Sequence, residues 1–261
     1  MVELSLVVDV GHTRTKFAVC RSVSQTPLPE IVDSLAVRHD QPIDWEKIGR
    51  WDARGTPIVI GTHVPQAKEV IRQWPSSLTT PVLFTDKSRL PLKVDVDFPD
   101  KVGMDRLLNA VAANLLRGAG QPAITIGTGT AITIDAIDAD GVFRGGAILP
   151  GILLGAKSLY EATTTLPHID VWELLKQEPA TLGRNTEAAI ASGLYWGHLG
   201  AIRELIQRET DWLRRTAKVP PLLLLTGGAS RIVAPYLSAS RQIDELALRA
   251  LAAIAHQVVP T

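Results

Sequence analysis

The segment Asp9-Val10-Gly11-His12-Thr13-Arg14-Thr15-Lys16 gathers a carboxylate, a glycine turn, hydroxyls and a cation within eight residues. Those are the groups a nucleotide phosphate requires: an acid for Mg²⁺, turn amides, hydroxyls and a positive charge. Phosphoryl transfer is catalysed mainly by positioning and by neutralising charge, so such a set has a direct use. A second group, Gly103-Met104-Asp105-Arg106, sets an acid and a base just after a breaker-rich stretch. Asp105 there precedes the domain junction, where a two-lobed protein would have its cleft, although an acid in a first helical turn is also favoured by the helix dipole alone. A third, Gly129-Thr130-Ala131, is a short Gly/Thr turn whose amides and hydroxyl could meet an anion.

These groups need elements to hold them. Leu4 to Val19 (LSLVVDVGHTRTKFAV) and Ala123 to Ile137 (AITIGTGTAITIDAI) each read as an apolar strand, a Gly/Thr turn and a returning strand. The echo continues at Ile58 to Pro65 (IVIGTHVP) and Leu222 to Ser230 (LLLLTGGAS), each a strand that runs into a helical stretch. The repetition predicts a duplicated α/β fold gripping a phosphorylated ligand in a cleft between two domains, 1–118 and 119–261. Where the first hairpin carries Asp9, the second carries Gly127.

Further strands are expected at Glu30 to Val37 and Val142 to Ile148. Helices are expected at Met104 to Arg117, from Pro150 toward Ala162, at Thr186 to Leu213 and at Glu245 to Val258. The Thr186 helix carries Ala188, Ser192, Gly193, Gly197 and Gly200, small enough to admit another backbone from this chain or from a second copy.

With 27 basic and 27 acidic side chains, the chain has no global field to attract nucleic acid or an anionic membrane. Cys20, the only cysteine, excludes an intramolecular disulfide and a cysteine-based zinc site. The stretch around Glu3 lacks the pattern of a signal peptide, and Gly145 to Ala156 is too short to span a bilayer, so a cytoplasmic protein is expected. His63, His168, His198 and His256 lack metal-ligand spacing.

Taken in order, the motifs resemble those of the type III pantothenate kinases. Asp9 to Lys16 is similar to the family's D-x-G-N-T-x-x-K phosphate segment, and Gly103 to Arg106 to its G-x-D-R substrate motif. Gly129-Thr130-Ala131 resembles its second phosphate turn, and Phe143 to Gly151, Leu166-Pro167, Gly183 to Thr186 and Thr226 to Gly228 follow in family order. The resemblance implies an RNase H-like, actin-like fold of the acetate and sugar kinase superfamily, a homodimer, and phosphorylation of pantothenate by ATP with Mg²⁺. It makes Asp105 the base, with Val96, Gly103, Met104 and Arg106 around pantothenate and Thr186 reaching the partner subunit's substrate. It sets Asp9, Gly11, His12, Thr13, Lys16, Gly129 and Thr130 around the nucleotide, Asp9 through Mg²⁺. Three positions depart from the family pattern: His12 replaces an asparagine, Val96 a tyrosine, and Gly127 the aspartate that helps bind K⁺ or NH₄⁺. The same departures motivate an alternative, a family member without turnover that acts as a binding or transcription-accessory protein.

Overall fold

A computed structural model describes residues 4–53, 55–61, 64–174 and 176–258; Glu3, Thr62 and His63 lie outside them. In chain order the elements begin β1 (Leu4–Val10), β2 (Arg14–Arg21), β3 (Glu30–Arg38), α1 (Trp45–Gly49), β4 (Ile58–Gly61), α2 (Val64–Arg72), β5 (Val82–Leu83) and α3 (Met104–Leu116). They continue with β6 (Ala123–Thr128), β7 (Ala131–Ile137), β8 (Phe143–Pro150), α4 (Ile152–Glu161), α5 (Val171–Leu174) and α6 (Thr186–Leu213). The chain closes with β9 (Leu222–Thr226), α7 (Ser230–Val233), β10 (Ser240–Gln242), α8 (Leu246–Ala253) and α9 (Ala255–Val258).

The duplication is visible in strand order. One sheet runs β3-β2-β1-β4-β5 and the other β8-β7-β6-β9-β10, and in each the first three strands in sequence are antiparallel while the last two add in parallel. Val7, Val8 and Val10 of β1 are all buried, as suits a central strand covered on both faces. The outer strand β3 instead alternates exposed and half-buried residues along most of its length. Phe17 packs against Trp45 with ring centres 5.8 Å apart, and Trp45 against Trp74 at 5.2 Å, so these tryptophans are packing residues. In the second sheet Ile124, Ile126, Ile132 and Ile134 meet Ile202, Ile206 and Leu213 of α6.

The chain divides into two compact units, but not as a simple halving. The first unit takes residues up to Leu116 and again from Glu245 onward, and the second comprises Arg117–Asp244. The closing segment therefore differs from the expected 119–261 domain. Leu246, Leu248 and Leu251 of α8 are buried in the first unit, where α8 packs on α3 and β1. Apolar periodicity marks a buried helix without saying which core receives it.

Two further boundaries moved. Pro150 ends β8, paired with Ala131, instead of starting α4. A proline fits there because β8 is an edge strand and need not donate on its outer side. The closing helix begins at Leu246 and breaks at Ile254, and Glu245 before it takes a left-handed backbone with φ 52° and ψ 43°. Cys20 is buried, and burial pushes its thiol up to about 12, which makes it an inert packing residue.

Candidate active site

In the first unit, the β1–β2 register sets Asp9 directly across from Lys16, on the same face of the sheet. The turn between them, Gly11-His12-Thr13, is closed by the Gly11 N–H donating to the Arg14 carbonyl at 3.1 Å. His12 and Thr13 are exposed at its tip. Burial first, and then the charge of Asp105, push the Asp9 carboxyl up to about 7; Lys16 opposes the shift and Glu245 adds to it. Asp9, Lys16, Asp105 and Glu245 thus share one electrostatic neighbourhood. The Lys16 ammonium is bonded to the Glu245 carboxylate at 2.7 Å.

Asp105 is the second residue of α3, where the helix dipole favours a negative charge. Its partner in geometry is Gly103. A Cβ on residue 103 would lie 2.5 Å from Asp105 Oδ1, so any other residue there would force the carboxylate to shift. Met104 is buried and anchors the start of the helix, while Arg106 and, in the preceding extended segment, Val96 are half-buried. One turn along α3 from Asp105, Asn109 is 6% exposed and its Oδ1 has no hydrogen-bond partner among the described residues. Glu245 and Asn109 were not anticipated from sequence. Asn109 carries a signal, its spacing of four from Asp105; Glu245, 229 residues from Lys16, carries none.

The second unit repeats the hairpin without the acid. Gly127 pairs with Thr133 and lies two residues before the turn glycine Gly129, as Asp9 lies two before Gly11. The equivalence of Asp9 and Gly127 is therefore one of strand register. The turn here is Gly129-Thr130, one residue shorter, with both residues exposed and the Gly129 N–H donating to the Ala131 carbonyl at 3.1 Å. Its base is fixed from two sides. The Thr128 hydroxyl donates to the Thr226 carbonyl at 2.8 Å, and the Gly151 N–H donates to the Thr130 carbonyl at 2.9 Å. Gly227, with φ 101°, passes so close that a Cβ would lie 2.7 Å from the Thr128 carbonyl. Thr186 is the exposed first residue of α6, and Asn185 before it caps the helix, its Oδ1 accepting from the Ala188 N–H at 2.8 Å. Of the expected site residues, Asp9, Lys16 and Asp105 lie in the first unit and Gly129 and Thr130 in the second.

Two sheets of one strand order, each opened by a hairpin with a Gly/Thr turn, form a duplicated α/β fold of the RNase H-like, actin-like kind. Over its full length the chain is similar to a Campylobacter jejuni protein assigned to the Baf family of transcriptional activators, with a TM-score of 0.58 and 16% identity, covering 96% of this chain and 98% of that one. It is also similar to a Sinorhizobium meliloti protein assigned as a 2-dehydro-3-deoxygalactonokinase, with a TM-score of 0.50 and 14% identity, covering 98% and 97%. In sequence, the family model for type III pantothenate kinase matches residues 5–208. A type III pantothenate kinase of Chlorobaculum parvum is 34% identical over 248 residues, covering 93% of this chain and 90% of the relative. The chain belongs to the type III pantothenate kinase family.

Proposed function

We propose that the protein transfers the γ-phosphoryl group of ATP to the primary hydroxyl of pantothenate, giving 4′-phosphopantothenate at the first step of coenzyme A synthesis. The observation that carries this reading is the gathering of Lys16 and Asp105 around the half-buried Asp9 carboxylate in a chain of this family. Asp105 aligns the hydroxyl and takes its proton as the oxygen attacks the γ-phosphorus, and ADP leaves with the bridging oxygen. Lys16, the hydroxyl of Thr13, and the turn at Gly11 and His12 meet the phosphates, as do Gly129 and Thr130. Gly103, Met104, Arg106 and Val96 border the pantothenate site.

The charge balance near Asp9 fits a divalent cation. Asp9, Asp105 and Glu245 bring three carboxylates into a neighbourhood shared with Lys16. Among the described residues no cluster of three ligating side chains could hold a metal by itself, so Mg²⁺ would be shared between Asp9 and the nucleotide's own oxygens. Bound there, the ion would neutralise charge developing on the phosphates.

If Gly103 is needed to seat the Asp105 carboxylate, Gly103→Ala lowers kcat by roughly 10- to 10²-fold, the scale of a misplacement near 1 Å. Thermal melting should change little, since a flexible carboxylate is what must yield; kinetics and a melting curve on the same preparation check this. The absent acid at position 127 bears on the monovalent cation. Turnover should respond weakly to K⁺ or NH₄⁺, and Gly127→Asp should strengthen the response. Strong activation of the unchanged protein by K⁺ would instead assign the ligand role to Thr128 or to backbone carbonyls.

A homodimer in which Thr186 reaches the partner's pantothenate is supported by apolar exposure in the second unit. Ile148 is 61% and Leu182 83% exposed, and Gly193, Gly197 and Gly200 face open space, whereas Ser192 is already bonded to the Thr181 carbonyl at 2.7 Å. No helix among the described residues is long and apolar enough to cross a membrane. The alternative of a binding protein without turnover has no observation in its favour beyond the departures at His12, Val96 and Gly127. A panel of acceptors, pantothenate against acetate and hexonates, tests the reading. Transfer to pantothenate alone supports it, and preferential transfer to another acceptor refutes it.

A further inference from the structure

We propose that Glu245 is a positioning residue of this phosphoryl-transfer site, holding the Lys16 ammonium where the nucleotide phosphates arrive and away from Asp9. The inference rests on the pantothenate kinase reading and extends it to a residue at the far end of the chain.

Three observations on Glu245 point the same way. First, its Oε2 lies 2.7 Å from Lys16 Nζ, a pair with side chains only 29% and 31% exposed, joining positions 229 residues apart. Second, its backbone is left-handed, a region costly for any side chain with a Cβ and open to glycine without penalty. Such a conformation persists in a residue other than glycine where its surroundings enforce it, and functional sites are where that happens most. Third, Glu245 stands at the N-cap of α8, yet its side chain makes no capping hydrogen bond. A bend would be served better by glycine or asparagine, and a cap by serine or aspartate. What glutamate alone supplies is a carboxylate with enough reach to meet Lys16.

The purpose follows from strand register. Lys16 sits directly across from Asp9, so an unrestrained ammonium would fold onto that carboxylate and neutralise the group proposed to bind Mg²⁺. Its bond goes to Glu245 instead. The helix bearing Glu245 is itself fixed, because Leu246, the next residue, is fully buried. The pair therefore presents the lysine from a rigid base, poised to meet a phosphate.

The test compares Glu245→Gly and Glu245→Gln with the unchanged protein. Glycine relaxes the backbone, so Glu245→Gly should melt at the same temperature or higher while kcat/KM for ATP falls by roughly 10- to 10²-fold. The KM for pantothenate should stay near its original value. Glu245→Gln, which keeps the size and removes the charge, should show the same loss. Combined with Lys16→Met, Glu245→Gly should cost little more than Lys16→Met alone, since both remove one interaction. A stable Glu245→Gly protein with unchanged kcat/KM for ATP would overturn the proposal, as would fully additive losses in the double variant. If the unchanged protein forms no phosphopantothenate, the kinase reading fails and the proposal is tested by binding. Calorimetric titration of a non-hydrolysable ATP analogue with Mg²⁺ should then show weaker affinity in Glu245→Gly, and equal affinity would overturn it.

Discussion

Asp105→Asn is expected to leave a folded protein whose kcat is lower by roughly 10²- to 10⁴-fold, the usual cost of deleting a positioned general base. Asparagine has nearly the shape of aspartate, so the side chain can still lie against Gly103, where Asp105 Oδ1 fills the space a Cβ would need. What disappears is the ability to accept the proton of the attacking hydroxyl. The stability change should be small by comparison, because a partly exposed charge in a first helical turn is worth only about 0.3–1 kcal/mol. Rates and melting curves separate the two effects. A variant with the original rate would remove Asp105 from the mechanism, and an unfolded one would make it structural.

Asp9→Asn should have an effect of similar size on turnover and the opposite effect on stability. Removing a preorganised charged group at a reacting phosphate costs roughly 10²- to 10³-fold in rate. For stability, the sign follows from where the proton sits. The Asp9 carboxyl, at about 7 when folded against 3.8 as its ordinary value, keeps its proton in the native state over a range where the unfolded chain has lost it. Its contribution to stability is therefore fully present below pH 3.8, declines as pH rises, and becomes a constant penalty above about 7. Asparagine has no such penalty. Asp9→Asn should match the unchanged protein in acid and melt at a higher temperature above neutrality, the gap opening between those two limits. Paired melting curves across that range check the prediction, and a gap that closes with rising pH would contradict it. In the proposed mechanism the protein thus sacrifices stability at Asp9 for a charge that the chemistry would use.

Much of this site could be read from the chain because its parts are local. Both hairpins announce themselves through alternating β-branched residues around Gly/Thr turns, and the Asp9-to-Gly127 correspondence survives as strict strand register. The α6 boundaries, Thr186 and Leu213, agree with the expected helix, whose start Asn185 caps. What was illegible depends on distance along the chain. Glu245 reads as the first residue of an ordinary helix until the fold sets it beside Lys16. The return of α8 to the first unit is hidden for the same reason, since Leu246 and Leu251 show that they will be buried but not by what. Pro150 misleads in the other direction: proline suits a helix start, yet its missing N–H is equally harmless at the end of an edge strand. Strand β10, Ser-Arg-Gln, has no strand signature and forms because β9 offers a parallel edge.

The measurement that bears most directly on the central claim is product identity. Purified protein is incubated with ATP, Mg²⁺ and pantothenate, with and without K⁺ or NH₄⁺, and the products are resolved by mass spectrometry beside an Asp105→Asn control. Pantothenate should gain one phosphoryl group as an equal amount of ADP forms, with the control lagging far behind. ATP hydrolysis without phosphopantothenate, or no turnover under any of these conditions, would contradict the assignment.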